Sequence, residues 1–280
     1  MQLNKLHIII IVTLLSFAGI LIYLNFRTPE AEMKETAPLA ENAMWKEFNY
    51  DEYAKSCKDS VPVSLKFKID SLEQIIAKDS NNYQAVITIA RFWDSAGFEI
   101  VSAHYSSKIA NRLGDERSWM TAGLKFYDVA RISEDTSRQI YAQKEAIKAF
   151  EKVVALNENN IDAKNALAIC LVQNDLDIMR GVQISKDVIK RDSNNIEANL
   201  TLGMLSERSG QLDKARARFE KLVEVQPLNP EYYFYLGEIY AKLEMKKEAI
   251  NTFETCITLL PDEAAKKEVK QIIENIQKQK

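Results

Sequence analysis

The sequence predicts an all-α chain, an α-solenoid of helix hairpins preceded by one N-terminal transmembrane helix. Three observations predict it. The chain has 280 residues but only 8 Gly and 6 Pro, too little turn chemistry for an all-β, collagen-like or disordered chain. Residues 6–26, LHIIIIVTLLSFAGILIYLNF, run for 21 positions without a formal charge, and a helix of about 20 residues crosses a hydrocarbon core. From about residue 63 onward apolar residues recur at helical spacing, and the pattern returns at a fixed period.

Composition also narrows function. The 37 basic and 40 acidic residues leave a net charge of -3, which gives no bulk attraction to nucleic acid. Cys57, Cys170 and Cys256 are far apart and His7 and His104 are the only histidines, so neither a disulfide framework nor a close-spaced metal site is expected. There is no Gly-rich phosphate loop, no nucleophile elbow and no histidine placed for acid–base work. The expectation is a non-enzymatic chain with no cofactor, no metal and no nucleic-acid partner.

Residues 1–26 are read as the anchor. Ser16 and Ala18 also fit a signal-peptide cleavage site before Gly19, but cleavage there leaves GILIYLNF as an exposed apolar terminus, so the span is read as uncleaved. Lys5 before it and Arg27 and Lys34 after it nearly balance. The short tail favours an inside amino terminus and an outside body. Residues 27–62 form a tether and a short helix: RTPEAEMKETAPLAEN is polar with two Pro, and the next stretch sets Met44, Trp45, Phe48 and Tyr53 near helical spacing. That helix is expected to pack on the body, with a membrane-surface helix as the alternative.

The body, residues 63–280, opens on a stripe of Leu65, Ile69, Leu72 and Ile76 that ends in KDSNN, and RDSNN recurs at 191–195. A helix stop and the cap of the next helix are being reused. Further on stand Tyr233-x-x-Leu236-Gly237-x-x-Tyr240, Ala249-x-x-x-Phe253 and Pro261; one period earlier come Leu202-Gly203, Ala215-x-x-x-Phe219 and Pro227. Gly203 and Gly237 are 34 residues apart. Leu167-Ala168-x-x-Leu171 opens the preceding copy, one residue longer than standard in its inter-helix turn, and Trp119-x-x-Ala122-Gly123-x-x-Phe126 opens the copy before that. Gly123 to Ala168 is 45 residues, about eleven extra, centred on RISEDTSRQIY at 131–141. The earliest full copy has Ile89-Ala90-x-x-Trp93 and Gly97, with Ser102 and Ser106 where Ala and Phe are expected.

This body resembles a tetratricopeptide repeat (TPR) protein, with repeats at about 83–115, 116–160, 161–195, 196–229 and 230–263 and a capping helix at 264–280. Small residues such as Gly203, Gly237, Ala215 and Ala249 are expected to bring the helices of a hairpin close, while Trp119, Tyr240, Phe219 and Phe253 fill the space between hairpins. Only a stack of such hairpins has a continuous core. Cys170 and Cys256 are read as buried thiols, Cys57 as accessible, His104 as packed or on a helix surface, and Glu134-Asp135 as a solvated turn or a helix start.

The resemblance implies a concave groove, lined by first helices, that holds a peptide or helix of a partner protein. In register, the groove takes Met120, Leu124 and Tyr127, then Asn165, Ile169 and Val172, then Leu200 and Met204, then Phe234, with Asp162, Glu197, Glu231 and Glu238 alongside. A flexible Met and a Phe beside Leu fit an apolar segment with basic flanks. The family's carboxylate clamp is absent, because the corresponding pairs are Ile87 and Arg91, Met120 and Leu124, Asn165 and Ile169. The layout is similar to bacterial envelope proteins that assist secretion, maturation or surface assembly. The expectation is therefore a scaffold anchored in the bacterial inner membrane with its body in the periplasm. The alternatives are a self-assembling homo-oligomer whose groove is filled by a second copy and, last, an enzyme subunit completed at the insertion.

Overall fold

The computed structural model describes residues 47–79 and 82–278. The expected span, the tether, Met44 and Trp45 lie outside the described residues. Among the described residues no helix is long and apolar enough to cross a membrane, and the secondary structure is helical throughout.

Thirteen α-helices follow one another there: α1 (Tyr50–Ser60), α2 (Val63–Lys78), α3 (Tyr83–Ser95), α4 (Glu99–Leu113), α5 (Glu116–Ile132), α6 (Thr136–Leu156), α7 (Ile161–Val172), α8 (Ile178–Arg191), α9 (Ile196–Arg208), α10 (Leu212–Val225), α11 (Pro230–Lys242), α12 (Lys246–Leu259) and α13 (Glu263–Lys278). The odd-numbered helices from α3 to α11 are the first helices of hairpins. Each begins on a short polar side chain that accepts a backbone N–H of its first turn: Asn82, Asp115, Asn160, Asn195 and Asn229. Such caps are worth about 1 kcal/mol each. The last Asn of KDSNN and of RDSNN is this cap, which is why the punctuation recurs.

Within hairpins the chain reverses through a left-handed residue. Gly97, Gly210 and Glu244 have φ of 77°, 72° and 57°. In each case the next N–H reaches back to a carbonyl five residues earlier, as from Phe98 to Trp93, Gln211 to Ser206 and Met245 to Tyr240. The turn after α7 is longer, a 3-10 segment at Gln173–Asp175 with Asp175 at φ 55°.

The described residues form two compact units, 47–202 and 203–278, with α9 contributing to both. The core of the first is built from side chains including Ile69, Ile89, Trp93, Phe126, Phe150 and Leu167, and that of the second includes Phe253, Cys256, Val269 and Ile273. α13 buries Val269, Ile273 and Ile276 against α12 and turns its charged face outward, closing that end.

The small residues act inside each hairpin. A methyl group on Gly123 would stand 2.6 Å from the Phe150 ring, one on Gly203 would stand 3.1 Å from Phe219, and one on Gly237 would stand 2.8 Å from Phe253. This corrects the expectation that Phe219 and Phe253 fill only the space between hairpins. Each ring sits on the glycine of its own hairpin, and Phe219 also reaches Tyr235 of the next, 5.3 Å between centroids.

The extra residues of the second repeat are not a loop. α5 and α6 have 17 and 21 residues against 13 and 14 for α11 and α12, so the insertion lengthens both helices of one hairpin. Asp135 caps the start of α6 by accepting from the Arg138 N–H. The lengthened end receives the N-terminal segment: Phe48 lies on Tyr141 at 4.9 Å, and the Arg138 guanidinium lies over the Tyr53 ring at 4.6 Å. From there α1 passes α4, where Tyr50 stacks on His104 at 3.9 Å, and ends on α2, where Lys58 pairs with Asp70 and Glu73. α1 is therefore a strap across α6, α4 and α2. On its inner face Cys57 is buried, 4% exposed, which corrects its reading as accessible.

Candidate functional site

In each first helix the Gly or Ala that faces the second helix fixes the orientation of its neighbours. At about 100° per residue, the positions three before, one after and four after it lie about 40–100° round the helix, on a stripe beside the packed face. That stripe is where the sequence placed the groove.

In the first unit, α5 contributes Met120 and Tyr127, half-buried against the core, and Leu124, which is 44% exposed. α7 contributes Ile169 and Val172, half-buried, and Asn165, which is buried. The Asn165 amide donates to Asn195 Oδ1 at 3.0 Å, and that oxygen also accepts the Ala198 N–H at 3.0 Å. Because Asn195 Oδ1 must be the acceptor, the Asn165 amide orientation is set, and its own Oδ1 is buried without a hydrogen bond. Asn165 thus ties α7 to the start of α9 and is not an open groove residue. Leu200 is half-buried; Asp162 and Glu197 are exposed, with Glu197 Oε2 3.5 Å from the Asn165 amide.

In the second unit Met204 is 37% exposed and Phe234 is half-buried, edge-on to Phe253 with centroids 5.8 Å apart. Glu231 is half-buried and accepts the Tyr235 hydroxyl at 2.8 Å; burial pushes its carboxyl above the usual range, and the Tyr235 bond opposes this. Glu238 is buried, so it is not at a rim. Of the acidic flank expected from the sequence, Asp162 and Glu197 remain open to solvent and Glu231 partly so.

Two polar ties on the same helices were not anticipated. Lys125 of α5 donates to Asp94 of α3 at 2.8 Å and to Ser102 of α4 at 2.9 Å. Ser102 stands where the repeat pattern has Ala, and this bond explains a hydroxyl at a buried position. In the second unit Lys242 pairs with Glu207 at 2.5 Å, joining α11 to α9. Glu207 lies four residues after Gly203 and Lys242 five after Gly237, so their proximity was open to inference from the repeat register.

Nucleophilic or acid–base chemistry finds little support. Burial pushes Cys170 and Cys256 up to about 12, and Cys57 also rises by burial, so all three stay neutral thiols. Burial, aided by Lys108 and opposed by Glu145 and Asp51, lowers His104 to about 4, which leaves a neutral imidazole packed on Tyr50. No cluster of three or more metal-binding side chains is found among the described residues.

Residues 200–264 match the tetratricopeptide repeat family. No curated protein matches the chain. Among solved structures, it is similar to YrrB, described as a TPR protein with an unusual peptide-binding site: 20% identity, 72% of this chain and 99% of that one covered, TM-score 0.50. It is also similar to MamA from Desulfovibrio magneticus RS-1, at 18% identity over 64% of this chain and 95% of that one, TM-score 0.51. A further MamA structure aligns at 17% identity over 63% and 91%, TM-score 0.52. At such identities the likeness concerns the fold, an all-helical TPR-like arrangement.

Proposed function

We propose that the chain is a non-enzymatic protein-interaction scaffold that holds an apolar peptide or helix of a partner protein on its first-helix face. One observation carries the reading. Leu124 and Met204, 44% and 37% exposed, keep large apolar side chains partly in solvent on the stripe beside the packed face of their helices. Unbranched Met adapts to varied partner side chains, and an apolar group on the groove stripe can meet the apolar side of a docked peptide or helix. The peptide-binding site named for YrrB supports the same use of the fold. Asp162 and Glu197 would steer a basic flank more than they hold it.

The uncharged run at residues 6–26 extends the proposal: the chain is held in the inner membrane of a bacterium, its body in the periplasm, and serves the assembly or maturation of an envelope complex. A reporter active only in the periplasm, fused after Lys280, gives signal under this topology; signal from a cytoplasmic reporter alone reverses it.

The binding reading is tested by crosslinking and pull-down from native membranes with Leu124→Asp and Met204→Asp. Both positions are exposed, so helical circular dichroism stays unchanged while partner recovery falls by tenfold or more, about 1.4 kcal/mol or more of binding energy. Undiminished recovery of every partner by the folded double variant rejects the first-helix face as the binding surface.

A further inference from the structure

The second helices α4 and α6 both pack on α5. Tyr50 of the strap stacks on His104 of α4 and lies parallel to Tyr141 of α6; one turn further along both helices, an open cleft of about 470 Å³ begins. It forms because the side chains that face it are small. Ala110, Ala122 and Ala149, one from each of the three helices, make a buried cluster, and Trp119 lies half-buried against it. Ser107 and Asn111, four residues apart on one face of α4, line the cleft opposite Ala149 and Lys152 of α6.

The polar groups of this lining divide into two kinds. Among the described residues, Ser107 Oγ, the Asn111 amide and the Trp119 indole N–H have no protein hydrogen-bond partner. The Trp119 N–H is also not sealed in the core, as that of Trp93 is. The charges beside them are already paired, Lys148 with Glu145 at 2.6 Å and Arg180 with Glu151 at 2.6 Å. Such pairs leave the walls little net field, while their carboxylate oxygens keep lone pairs for further hydroxyl donors.

This combination discriminates between ligands. An apolar helix would strand the Asn111 amide and the indole N–H away from water, at a cost. An anion would find its counter-charges engaged, except for the exposed Lys152 at the side. A pyranose ring suits both parts of the lining. Its C–H face is apolar and matches the negative face of an indole, and its hydroxyls both donate and accept, as Ser and Asn side chains do. The volume is that of a ligand pocket, about 300–1,000 Å³. The α6 wall from Glu145 to Ala155 is about 15 Å long, enough for several linked rings.

We propose that the α4–α6 cleft binds a neutral oligosaccharide, with one sugar ring against the Trp119 indole and its polar substituents bonded to Ser107 Oγ, the Asn111 amide and Trp119 Nε1. Sugar hydroxyls take over the hydrogen bonds that water makes to these groups in the free protein, so affinity is modest and selectivity comes from the ring contact. The site lies on second helices and does not depend on the partner reading of the first-helix face.

The test uses the full chain, labelled with nitrogen-15 and kept in a zwitterionic detergent that carries no sugar. Trp119→Phe identifies the Trp119 indole signal. Cellotriose or chitotriose at up to about 20 mM should move that signal saturably and leave that of Trp93, 2% exposed in the core, in place. Ser107→Ala with Asn111→Ala should raise the titration midpoint about fivefold or more with the amide spectrum otherwise kept. If the double variant loses its dispersed spectrum, Asn111→Ala alone, at an exposed position, takes its place and should raise the midpoint about twofold or more. A signal that stays still, moves equally with glycerol, or keeps its midpoint in the variants overturns the proposal. So does movement with a Leu- and Lys-built amphipathic helix and with neither sugar, which would assign the cleft to a protein partner.

Discussion

Gly237 lies beneath the ring of Phe253, so close that a methyl group on its Cα would stand 2.8 Å from the ring's Cε1. Gly123 and Phe150 repeat the relationship one unit earlier, at 2.6 Å. Neither ring can retreat easily, because both are fully buried. Gly237→Ala should therefore overpack the last hairpin and cost about 1–3 kcal/mol. Gly203→Ala, at 3.1 Å, should cost less. Urea titration checks the order, and equal midpoints for both variants and wild type would show that the hairpin absorbs the methyl.

Gly210 and Glu244 occupy the same left-handed position of successive hairpins, at φ 72° and 57°. A methyl on Gly210 meets nothing within 4 Å, so only backbone conformation opposes it. Gly210→Ala should cost about 1 kcal/mol. Glu244→Gly should be neutral to slightly stabilising, since relief of the left-handed strain is offset by the freedom glycine gains in the unfolded chain. Chemical denaturation of the two variants gives both signs.

His104 is held neutral by burial beneath Tyr50, at about 4 against an ordinary 6.5. The folded state binds the proton less readily than the unfolded one, so this contribution is complete above pH 6.5 and is lost as pH falls from 6.5 through 4. A shift of this size corresponds to about 3 kcal/mol, reduced by the solvent that reaches the ring. His104→Phe should flatten the decline in stability between pH 6.5 and 4 relative to wild type. Parallel profiles would show that carboxylates alone govern it.

Tyr141 holds Phe48 at 4.9 Å and lies parallel to Tyr50 at 6.2 Å, so it anchors the start of the strap. Tyr141→Ala should loosen α1 and expose Cys57, raising its maleimide labelling by about tenfold for a loss of about 1.4 kcal/mol in strap docking. Cys170 and Cys256, buried in α7 and α12, should stay protected. Mass spectrometry of labelled peptides separates the three thiols; uniform labelling would indicate global unfolding.

The all-helical class was legible in the sequence because each hairpin carries its own signals. Asn or Asp at the start, a small residue mid-helix and a Phe in the second helix are local requirements of capping and close approach. Where a residue's role is set by a distant part of the chain, the sequence was silent. The insertion near 131–141 read as extra residues, and only the tertiary structure showed them as added turns of α5 and α6 that receive Phe48 and Tyr53. Cys57 read as accessible because it lies outside the repeats, yet the strap that carries it folds down onto three helices. The groove residues divide the same way. Helical register placed Met120, Leu124, Asn165, Met204 and Glu238 on the same stripe of their own helices, but register fixes only the direction of Cα–Cβ. Whether a side chain there meets solvent depends on what the next helix brings, which buried Asn165 and Glu238 and left Leu124 and Met204 open. Sequence by itself determined the helices and their period, through short-range capping and packing rules; contacts across tens of residues decided which of their side chains remain available to a partner.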